Sequence, residues 1–243
     1  MHTGGAGGRP GRVTVDRAAL AADLARVGAE VVRRGLTWGT SGNLSARLGA
    51  GRFLISATGA ALDDLTEQHL VDCAVASGGQ AAGGRPSVEV EMHRAVYAGL
   101  PEAGAVLHAS APYTTLLACT RGRVPVHMNT DALAWVGRVV RVPYRPPGSR
   151  ELAGEVAARA GGSRVLLLNN HGSLAWGATP DEVLTRTEAL EFLAQLVVRA
   201  RAARRRFAFL GPREQAHLRQ MGEGASRPGS GLESGSPGKT FKR

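Results

Sequence analysis

The sequence contains few cysteines, which limits the part that covalent cross-links can play in the fold. Its 243 residues include only Cys73 and Cys119, each inside an apolar stretch, LVDCAVA and TLLACT. Their spacing matches no zinc-binding module, and a chain of this length can bury a substantial core without disulfides. We therefore expect two reduced core thiols in a cytosolic protein.

Long apolar runs are also missing. No segment approaches the ~20 consecutive apolar residues that a membrane-spanning helix needs. The first residues, MHTGGAGGRPGR, lack the apolar segment of a signal peptide. The sequence therefore predicts a cytoplasmic protein without a membrane partner.

Acidic residues are outnumbered by basic ones, 20 against 30, which gives a formal net charge of +10. Much of the basic charge lies late in the chain, in RARAARRR (199–206) and in the final KTFKR. Aromatic residues make up only 5% of the sequence, so these basic runs are not interleaved with rings that stack on bases. Basic charge alone is weak evidence for a nucleic-acid partner, and we do not expect one.

Composition divides the chain into one domain and two tails. Residues 1–15 are Gly-rich and without periodicity, which predicts a flexible N-terminal arm. Residues 16–211 carry the periodic apolar patterns of a folded domain, and residues 212–243 read as a basic, low-complexity, disordered tail.

Helices are predicted where caps and helical spacing coincide. A first helix begins at Asp16 and ends at Gly35, a short one begins at Pro112, and the longest begins with Thr179 as its N-cap. Apolar runs predict strands at 44–48, 52–56, 68–76, 105–107, 124–129, 138–144 and 165–168. This order indicates an α/β fold with a mixed sheet flanked by helices.

The stretch from Pro86 to Ser110, PSVEVEMHRAVYAGLPEAGAVLHAS, concentrates residues capable of chemistry. Helical spacing places Glu89 and His93, four residues apart, on one face. The following apolar strand ends on His108. A carboxylate and an imidazole in neighbouring elements are the minimum for a metal site or an acid/base pair.

Two turns of small residues lie at strand ends. One contains Gly39 to Asn43 and the other contains Thr58 and Gly59. Their hydroxyls and backbone N–H groups can bind an anion, although the same spacing also suits an ordinary hairpin loop. A further histidine, His171, follows a strongly apolar strand and precedes Gly172.

In order and spacing, GTSGNLSAR, SATG, PSVE followed by His93, AVLHAS, YRPPGSRELA and NNHG resemble the class II aldolase/adducin family. The resemblance covers about residues 16 to 210. It implies a three-layer α/β/α fold with a central mixed, mainly antiparallel sheet and a homotetramer with active sites between subunits. It also implies a catalytic zinc held by histidines and a small-molecule substrate.

The resemblance also implies roles for individual residues. Glu89 matches the family's acid/base carboxylate, and His108 and His171 match two of its metal ligands. The substrate phosphate would be bound by residues of the two turns and the helix start, namely Gly42, Asn43, Thr58, Gly59 and Ser87. Tyr113, which follows the metal strand, is a candidate for the pocket wall.

The sequence departs from the family pattern at two positions. The family's metal-binding strand ends His-x-His, but Ser110 occupies the second position, and a hydroxyl is a poor zinc ligand. His127 is a candidate replacement from a neighbouring strand. The family's paired serine before the glutamate is reduced to Ser87-Val88, which puts a standard sugar-phosphate substrate in doubt. Two histidines and a carboxylate also suit a non-haem iron(II) centre, in which Glu89 itself binds the metal.

These observations predict a metal-dependent lyase that cleaves or forms a C–C bond next to a carbonyl in a small hydroxy-carbonyl substrate. Zinc is the first choice of metal, with iron(II) or manganese as alternatives. A family member repurposed as an iron oxygenase or decarboxylase is a second hypothesis. A non-catalytic, adducin-like interaction module is a third.

Overall fold

A computed structural model describes residues 16–49, 51–76 and 82–225, with the side chains of 219–225 left out. The predicted arm 1–15 and residues 226–243 of the predicted tail lie outside this range. Within it, the helices are α1 (Arg17–Arg33), α2 (Val90–Gly99), α3 (Pro112–Ala118), α4 (Arg150–Ala160), α5 (Pro180–Ala202) and α6 (Pro212–Ala225). The strands are β1 (Asn43–Arg47), β2 (Arg52–Ser56), β3 (Leu70–Ala74), β4 (Ala105–Ala109), β5 (Val139–Val142), β6 (Val165–Leu168) and β7 (Gly172–Gly177).

The described strands form one sheet in the order β3-β2-β1-β4-β7-β6-β5. Every neighbouring pair is antiparallel except β5 and β6, which are parallel and are joined through α4. The predicted α/β fold with a mixed, mainly antiparallel sheet is confirmed. Because β4 lies between β1 and β7, the centre of the sheet combines segments that are far apart in sequence.

Helices cover both faces of the sheet, because successive strand residues point to opposite faces and apolar side chains lie on both. Leu44, Ala46 and Leu107 belong to the apolar cluster under α1 and the start of α5. Val106, on the opposite face of β4, belongs to the cluster under α2 and α4. Since successive residues of a strand point to opposite faces, His108 shares the α2 face with Val106.

The sequence predicted the helix ends well where capping side chains are present. Asp16 accepts a hydrogen bond from Ala18 N–H, and Gly35, with φ of 68°, follows the end of α1. Thr179 caps α5 by accepting from Glu182 N–H, and Pro180 takes the first helical position. No helix in the described part of the chain is long and apolar enough to cross a membrane.

Three predictions are wrong. Residues 124–129 form no strand: Val126–Met128 is a short 3-10 turn, which follows Pro125, a residue without the N–H that a sheet ladder uses. The predicted disordered tail is helical at its start, since α6 spans Pro212–Ala225 and Leu218 packs against the cluster around α3 and α5. Cys73 is buried, but Cys119 at the end of α3 is exposed.

Candidate metal centre and substrate cavity

Three elements carry the candidate metal donors. His108 lies on β4, where it pairs in register with Asn43 of β1. His171 lies in the turn between β6 and β7, and its N–H bonds to the carbonyl of Leu168. Glu89 stands immediately before α2. A Cβ on Gly172, next to His171, would lie 2.5 Å from the carbonyl oxygen of Ala109, so the turn packs closely on the end of β4.

The Glu89 carboxylate lies between the two imidazoles. Glu89 Oε2 is 3.3 Å from His108 Nε2, and Glu89 Oε1 is 3.2 Å from His171 Nε2. The two rings lie 4.6 Å apart between centroids. Glu89 is 6% exposed and His108 is 2% exposed, so the interactions are shielded from water. Burial and the neighbouring His108 lower the pKa of His171, while Glu89 opposes that shift.

The hydrogen bond made by His108 Nδ1 determines which ring nitrogen carries the proton and which has a free lone pair. Nδ1 lies 2.9 Å from the carbonyl oxygen of Ser173, which can only accept, so Nδ1 carries a proton. In the neutral ring, Nε2 then presents a lone pair toward a carboxylate oxygen. Two acceptors at 3.3 Å repel each other unless a proton or a cation lies between them.

A metal ion fits this arrangement. One ligand atom from each of Glu89, His108 and His171 lies within 4.8 Å of the others. Tetrahedral zinc with bonds of about 2.1 Å places its ligand atoms about 3.4 Å apart, close to the two distances from Glu89. Glu89 Oε1 is also buried without a hydrogen-bond partner among the described residues, although buried carboxylate oxygens are normally satisfied.

Asn43 fixes the other carboxylate oxygen. Its Nδ2 donates to Glu89 Oε2 at 2.9 Å, and its Oδ1 lies 2.5 Å from His93 Nε2. His93 is fully buried, and this burial lowers its pKa to about 3, so the ring is neutral at physiological pH. His93 thus contacts Asn43 and is no part of the metal-donor group.

A cavity of about 230 Å³ opens beside these donors. Both small-residue turns and the start of α2 form its walls, so the structure brings the residues predicted to bind the substrate phosphate together with Glu89, His108 and His171. Its lining comprises Thr40, Ser41, Gly42, Asn43, Ala57, Thr58, Gly59, Ala60, Ser87, Val88, Glu89, His108, Ser110, Pro147 and His171. A larger cavity of about 480 Å³ lies near the start of α5, but its Glu182 is paired with Arg186 and it holds none of the metal donors. The chemistry favours the smaller cavity.

The first turn is packed against the end of β4. Gly42 has φ of 81°, and a Cβ there would lie 2.8 Å from the carbonyl oxygen of His108. Thr37 Oγ1 donates to the carbonyl of Ser41, and Ser41 Oγ lies 3.1 Å from Ser110 Oγ. At the position where the family pattern has a second histidine, the hydroxyl of Ser110 therefore lies beside the hydroxyl of Ser41.

Residues 22–198 match the family described as the Class II Aldolase and Adducin N-terminal domain. The chain belongs to the class II aldolase and adducin family. This confirms the resemblance inferred from the motifs, and the matched residues include every element that contributes to the cavity.

Relatives in this family include two enzymes of Escherichia coli strain K12. The 3-oxo-tetronate 4-phosphate decarboxylase is 33% identical over 182 residues, which cover 73% of this chain and 85% of that enzyme. The L-fuculose phosphate aldolase is 33% identical over 182 residues, which cover 75% of this chain and 84% of that enzyme. The crystal structure of YgbL from Klebsiella pneumoniae superposes with a TM-score of 0.78 at 33% identity, covering 84% of this chain and all of YgbL.

Two candidates lie away from the centre. The Tyr113 ring lies under the Arg199 guanidinium, 5.8 Å from it, and Tyr113 is not part of the cavity wall in the single chain. The start of α3 is held by Glu191, which accepts from Tyr113 N–H, and this turns the residue toward α5. His127 lies against Phe209 and does not join the metal donors of the described chain.

The sequence reasoning also missed cavity residues. Pro147 lines the cavity because the following Gly148, with φ of 73°, brings the loop onto Val88: a Cβ at Gly148 would lie 2.8 Å from the Val88 carbonyl oxygen. The quoted segment YRPPGSRELA contains this loop, so the motif itself was the available signal. Thr40 and Ser41 also line the cavity, and they belong to the turn whose hydroxyls were predicted to bind an anion.

Proposed function

We propose that the protein is a divalent-metal-dependent lyase that breaks or forms a C–C bond next to a carbonyl of a small hydroxy-carbonyl substrate. The observation that carries this proposal is the group formed by Glu89, His108 and His171 beside a cavity walled by two turns of small polar residues. Family membership supports a lyase, and the reaction type and substrate are part of the proposal.

The metal would be held by Nε2 of His108, Nε2 of His171 and the Glu89 carboxylate, with zinc as the first choice. When bound, a divalent cation stabilises the negative charge that develops on a substrate oxygen by several kcal/mol. The hydrogen bond from His108 Nδ1 to Ser173 keeps Nε2 unprotonated and directed at the centre. Since the described residues supply three donors, coordination positions remain for substrate.

Glu89 is the residue that moves the proton. It is the carboxylate of the donor group, its Oε2 is held by Asn43, and its Oε1 has no hydrogen-bond donor in the described part of the chain. After C–C cleavage the substrate carbanion needs a proton, and a carboxyl group beside the reacting carbon supplies it. In cleavage of an aldol, the Glu89 carboxylate would take the proton of the substrate hydroxyl and return it to the carbanion. In loss of CO₂ from a 3-oxo acid, the carbanion would receive a proton that Glu89 takes from water.

The two turns would bind an anionic end of the substrate, and a phosphate is our first choice. The N–H groups of Gly42 and Gly59 have no hydrogen-bond partner among the described residues, and both glycines have positive φ. Ser87 and Thr58 add hydroxyls at the same wall. Since the lining includes neither Lys nor Arg, affinity for the anion would come from oriented N–H and O–H groups.

The test compares two substrates suggested by the relatives. Purified protein is analysed for bound metal and then incubated with 3-oxo-tetronate 4-phosphate, with CO₂ release as the readout, and with L-fuculose phosphate, with aldehyde release as the readout. We expect turnover of a substrate of this class that is abolished by a chelator and restored by Zn²⁺ or Mn²⁺. Absence of stoichiometric metal and of both activities would instead favour the non-catalytic interaction module.

The donor set favours one second candidate. A carboxylate with two imidazoles is the ligand set of non-haem iron(II) centres that react with O₂, and here Glu89 lies within 3.3 Å of both rings. Reconstitution with iron(II) under anaerobic conditions, followed by measurement of oxygen consumption with each substrate, separates this oxidation from the lyase reaction.

We also propose that the protein assembles into a homotetramer, as the family resemblance implies. Several large apolar side chains are exposed on the single chain, including Trp38 at 69% and Phe209 at 57%. Burial of such side chains against another copy would be favourable. Light scattering coupled to size-exclusion chromatography tests this assembly directly.

A further inference from the structure

A row of buried polar side chains leads from Glu89 into the core between α2 and β1. Beyond Asn43 and His93, the hydroxyl of Ser45 lies 2.7 Å from His93 Nδ1, and the hydroxyl of Tyr97 lies 2.8 Å from Ser45 Oγ. Ser45 and His93 are 0% exposed, and Tyr97 is 2% exposed. We call the row of Tyr97, Ser45, His93 and Asn43 the polar chain.

The polar chain follows from two periodicities. Glu89, His93 and Tyr97 recur every four residues, which places them on one face at the start and along the length of α2. Asn43 and Ser45 are two residues apart on β1 and therefore share the face that α2 covers. Each hydrogen bond of the chain passes from helix to strand or from strand to helix.

The hydrogen bonds of the polar chain run in one direction. Because the Glu89 carboxylate accepts, the Asn43 atom facing it is the amide N–H, and the Asn43 oxygen accepts from His93 Nε2–H. The neutral His93 ring then has its lone pair on Nδ1, so Ser45 donates to it and Tyr97 donates to Ser45. Burial raises the pKa of Tyr97 well above its usual value, so its hydroxyl stays a donor.

Stability alone does not account for this arrangement. Buried hydrogen-bonded polar groups can often be replaced by apolar groups of the same shape at little cost, whereas a network with one missing partner is destabilising. Tyr97, at the end of the polar chain away from Glu89, is also held in place. The Arg47 guanidinium lies over its ring at 4.8 Å and donates a hydrogen bond to its carbonyl. What the polar chain adds is a single orientation of the Asn43 amide, and through it of the Glu89 carboxylate.

We propose that Tyr97, Ser45 and His93 are positioning residues that, through Asn43, hold the Glu89 carboxylate where it faces both His108 and His171. The role of Glu89 rests on the proposed function, while the direction of the polar chain does not. If Asn43 were released, its amide could turn, and its oxygen would then repel the carboxylate. Glu89 would lose the contact that aligns it with the two imidazoles.

The first experiment measures the tautomer of His93 in protein freed of metal by a chelator. With ¹⁵N-labelled histidine and His93→Gln to assign the signal, we expect a neutral ring protonated on Nε2, with Nδ1 unprotonated. A ring protonated on Nδ1 would overturn the proposal, because Ser45 could then not donate to it. This measurement requires neither bound metal nor a known substrate.

The second experiment measures Zn²⁺ affinity by competition with a chelator. We expect His93→Leu to weaken binding about tenfold, as loss of an outer hydrogen-bond partner commonly does. His93→Gln, whose amide can still donate to Asn43, should restore most of that affinity. Phe53→Leu is the matched control, because Phe53 packs on the Tyr97 ring at 4.9 Å but has no polar atom in the chain.

The outcomes are distinguishable. His93→Leu protein that melts near the wild-type temperature and binds Zn²⁺ equally well contradicts the proposal. If His93→Leu does not fold, Tyr97→Phe replaces it, with a smaller loss of affinity expected and unchanged affinity as the contrary result. A wild-type protein that binds none of Zn²⁺, Mn²⁺ and Fe²⁺ contradicts the proposed function, and the tautomer of His93 then decides the present proposal by itself.

Discussion

Three side chains contact the Glu89 carboxylate: Asn43 donates to one oxygen, and His108 and His171 face one oxygen each. The substitution Glu89→Gln keeps the shape and allows the Asn43 hydrogen bond, but it removes the charge and the proton-transfer group. We expect turnover to fall about 100-fold or more, the usual contribution of a general acid or base. Steady-state kinetics at matched metal loading measure this effect.

Glu91→Gln provides the control for that substitution. Glu91 lies two residues further along the chain and forms an ion pair with Arg94 at 3.3 Å, away from the cavity. Both variants lose one carboxylate from the same segment. Because only Glu89 lines the cavity, only Glu89→Gln should lower turnover. Unchanged turnover in correctly folded Glu89→Gln would refute its role in proton transfer.

Ser110 is the residue that sets this chain apart from the family's metal strand. It lies two residues after His108 at the cavity wall. Introducing an imidazole by Ser110→His should add a fourth donor and tighten Zn²⁺ binding about tenfold, or ~1.4 kcal/mol. Ser110→Ala should leave metal affinity unchanged, because the hydroxyl contributes no ligand. Chelator competition tests both variants, and equal affinity of Ser110→His and wild type would show that the position faces away from the metal.

At the residue scale, the candidate metal-binding and acid/base residues could be predicted from the sequence, but their hydrogen-bond partners could not. Glu89, His108 and His171 were identifiable because the motifs around them resemble those of the class II aldolase and adducin family. The contact of Asn43 with His93 joins residues 50 positions apart, and it exists only because α2 packs on β1. The contact of the Tyr113 backbone N–H with Glu191, 78 positions away, was likewise not readable from the local sequence.

At the scale of elements, the turn before β1 gives the sharpest test. Gly42 and Gly39 both have positive φ, but a Cβ on Gly42 would meet the His108 carbonyl at 2.8 Å, whereas a Cβ on Gly39 would meet nothing within 4 Å. Alanine at either position carries the left-handed backbone cost of about 1–2 kcal/mol. Gly42→Ala adds a clash with backbone and displaces the turn from β4.

We therefore expect Gly42→Ala to lower the melting temperature more than Gly39→Ala does. It should also raise the KM of a phosphorylated substrate, while Gly39→Ala leaves KM near the wild-type value. Thermal unfolding and kinetics on both variants provide the comparison. Equal effects of the two substitutions would mean that the close packing of this turn on β4 has no bearing on binding.

Element boundaries could be predicted where a local signal fixes them. Asp16, Thr179 and Pro112 mark helix starts through capping or a fixed φ, and these starts are correct. The segment around Val126 alternates like a strand, but it packs against helices on one face of the sheet and pairs with none of the described strands. The start of the predicted tail likewise becomes helical against an apolar cluster that the local sequence does not reveal.

At the scale of the whole molecule, the strand order could not be read from the chain. The mixed composition of the sheet was predictable, but the insertion of β4 between β1 and β7 was not. It depends on long-range pairings, such as Leu44 with Leu107 across 63 residues and Leu107 with Ala175 across 68 residues. That insertion positions the site, because it places Asn43, His108 and the β6–β7 turn at one end of the sheet.

Burial of His93 couples the whole fold to pH. Its pKa is lowered from 6.5 to about 3 in the folded protein, chiefly by burial, with a further effect of His108. Between these two values the unfolded chain binds a proton at this position and the folded protein does not. The free energy of unfolding should therefore decrease as pH falls below 6.5, by up to about 1.4 kcal/mol per pH unit from this residue.

Urea unfolding of metal-free protein between pH 8 and pH 5 tests this coupling in a range above the usual pKa of carboxylates. We expect stability from His93 to be constant near pH 8 and to decline below about 6.5. His93→Gln, which does not titrate, should lose this part of the slope. An identical slope in wild type and variant would contradict a lowered pKa of His93 in the folded protein, because a group with the same pKa in both states contributes no pH dependence.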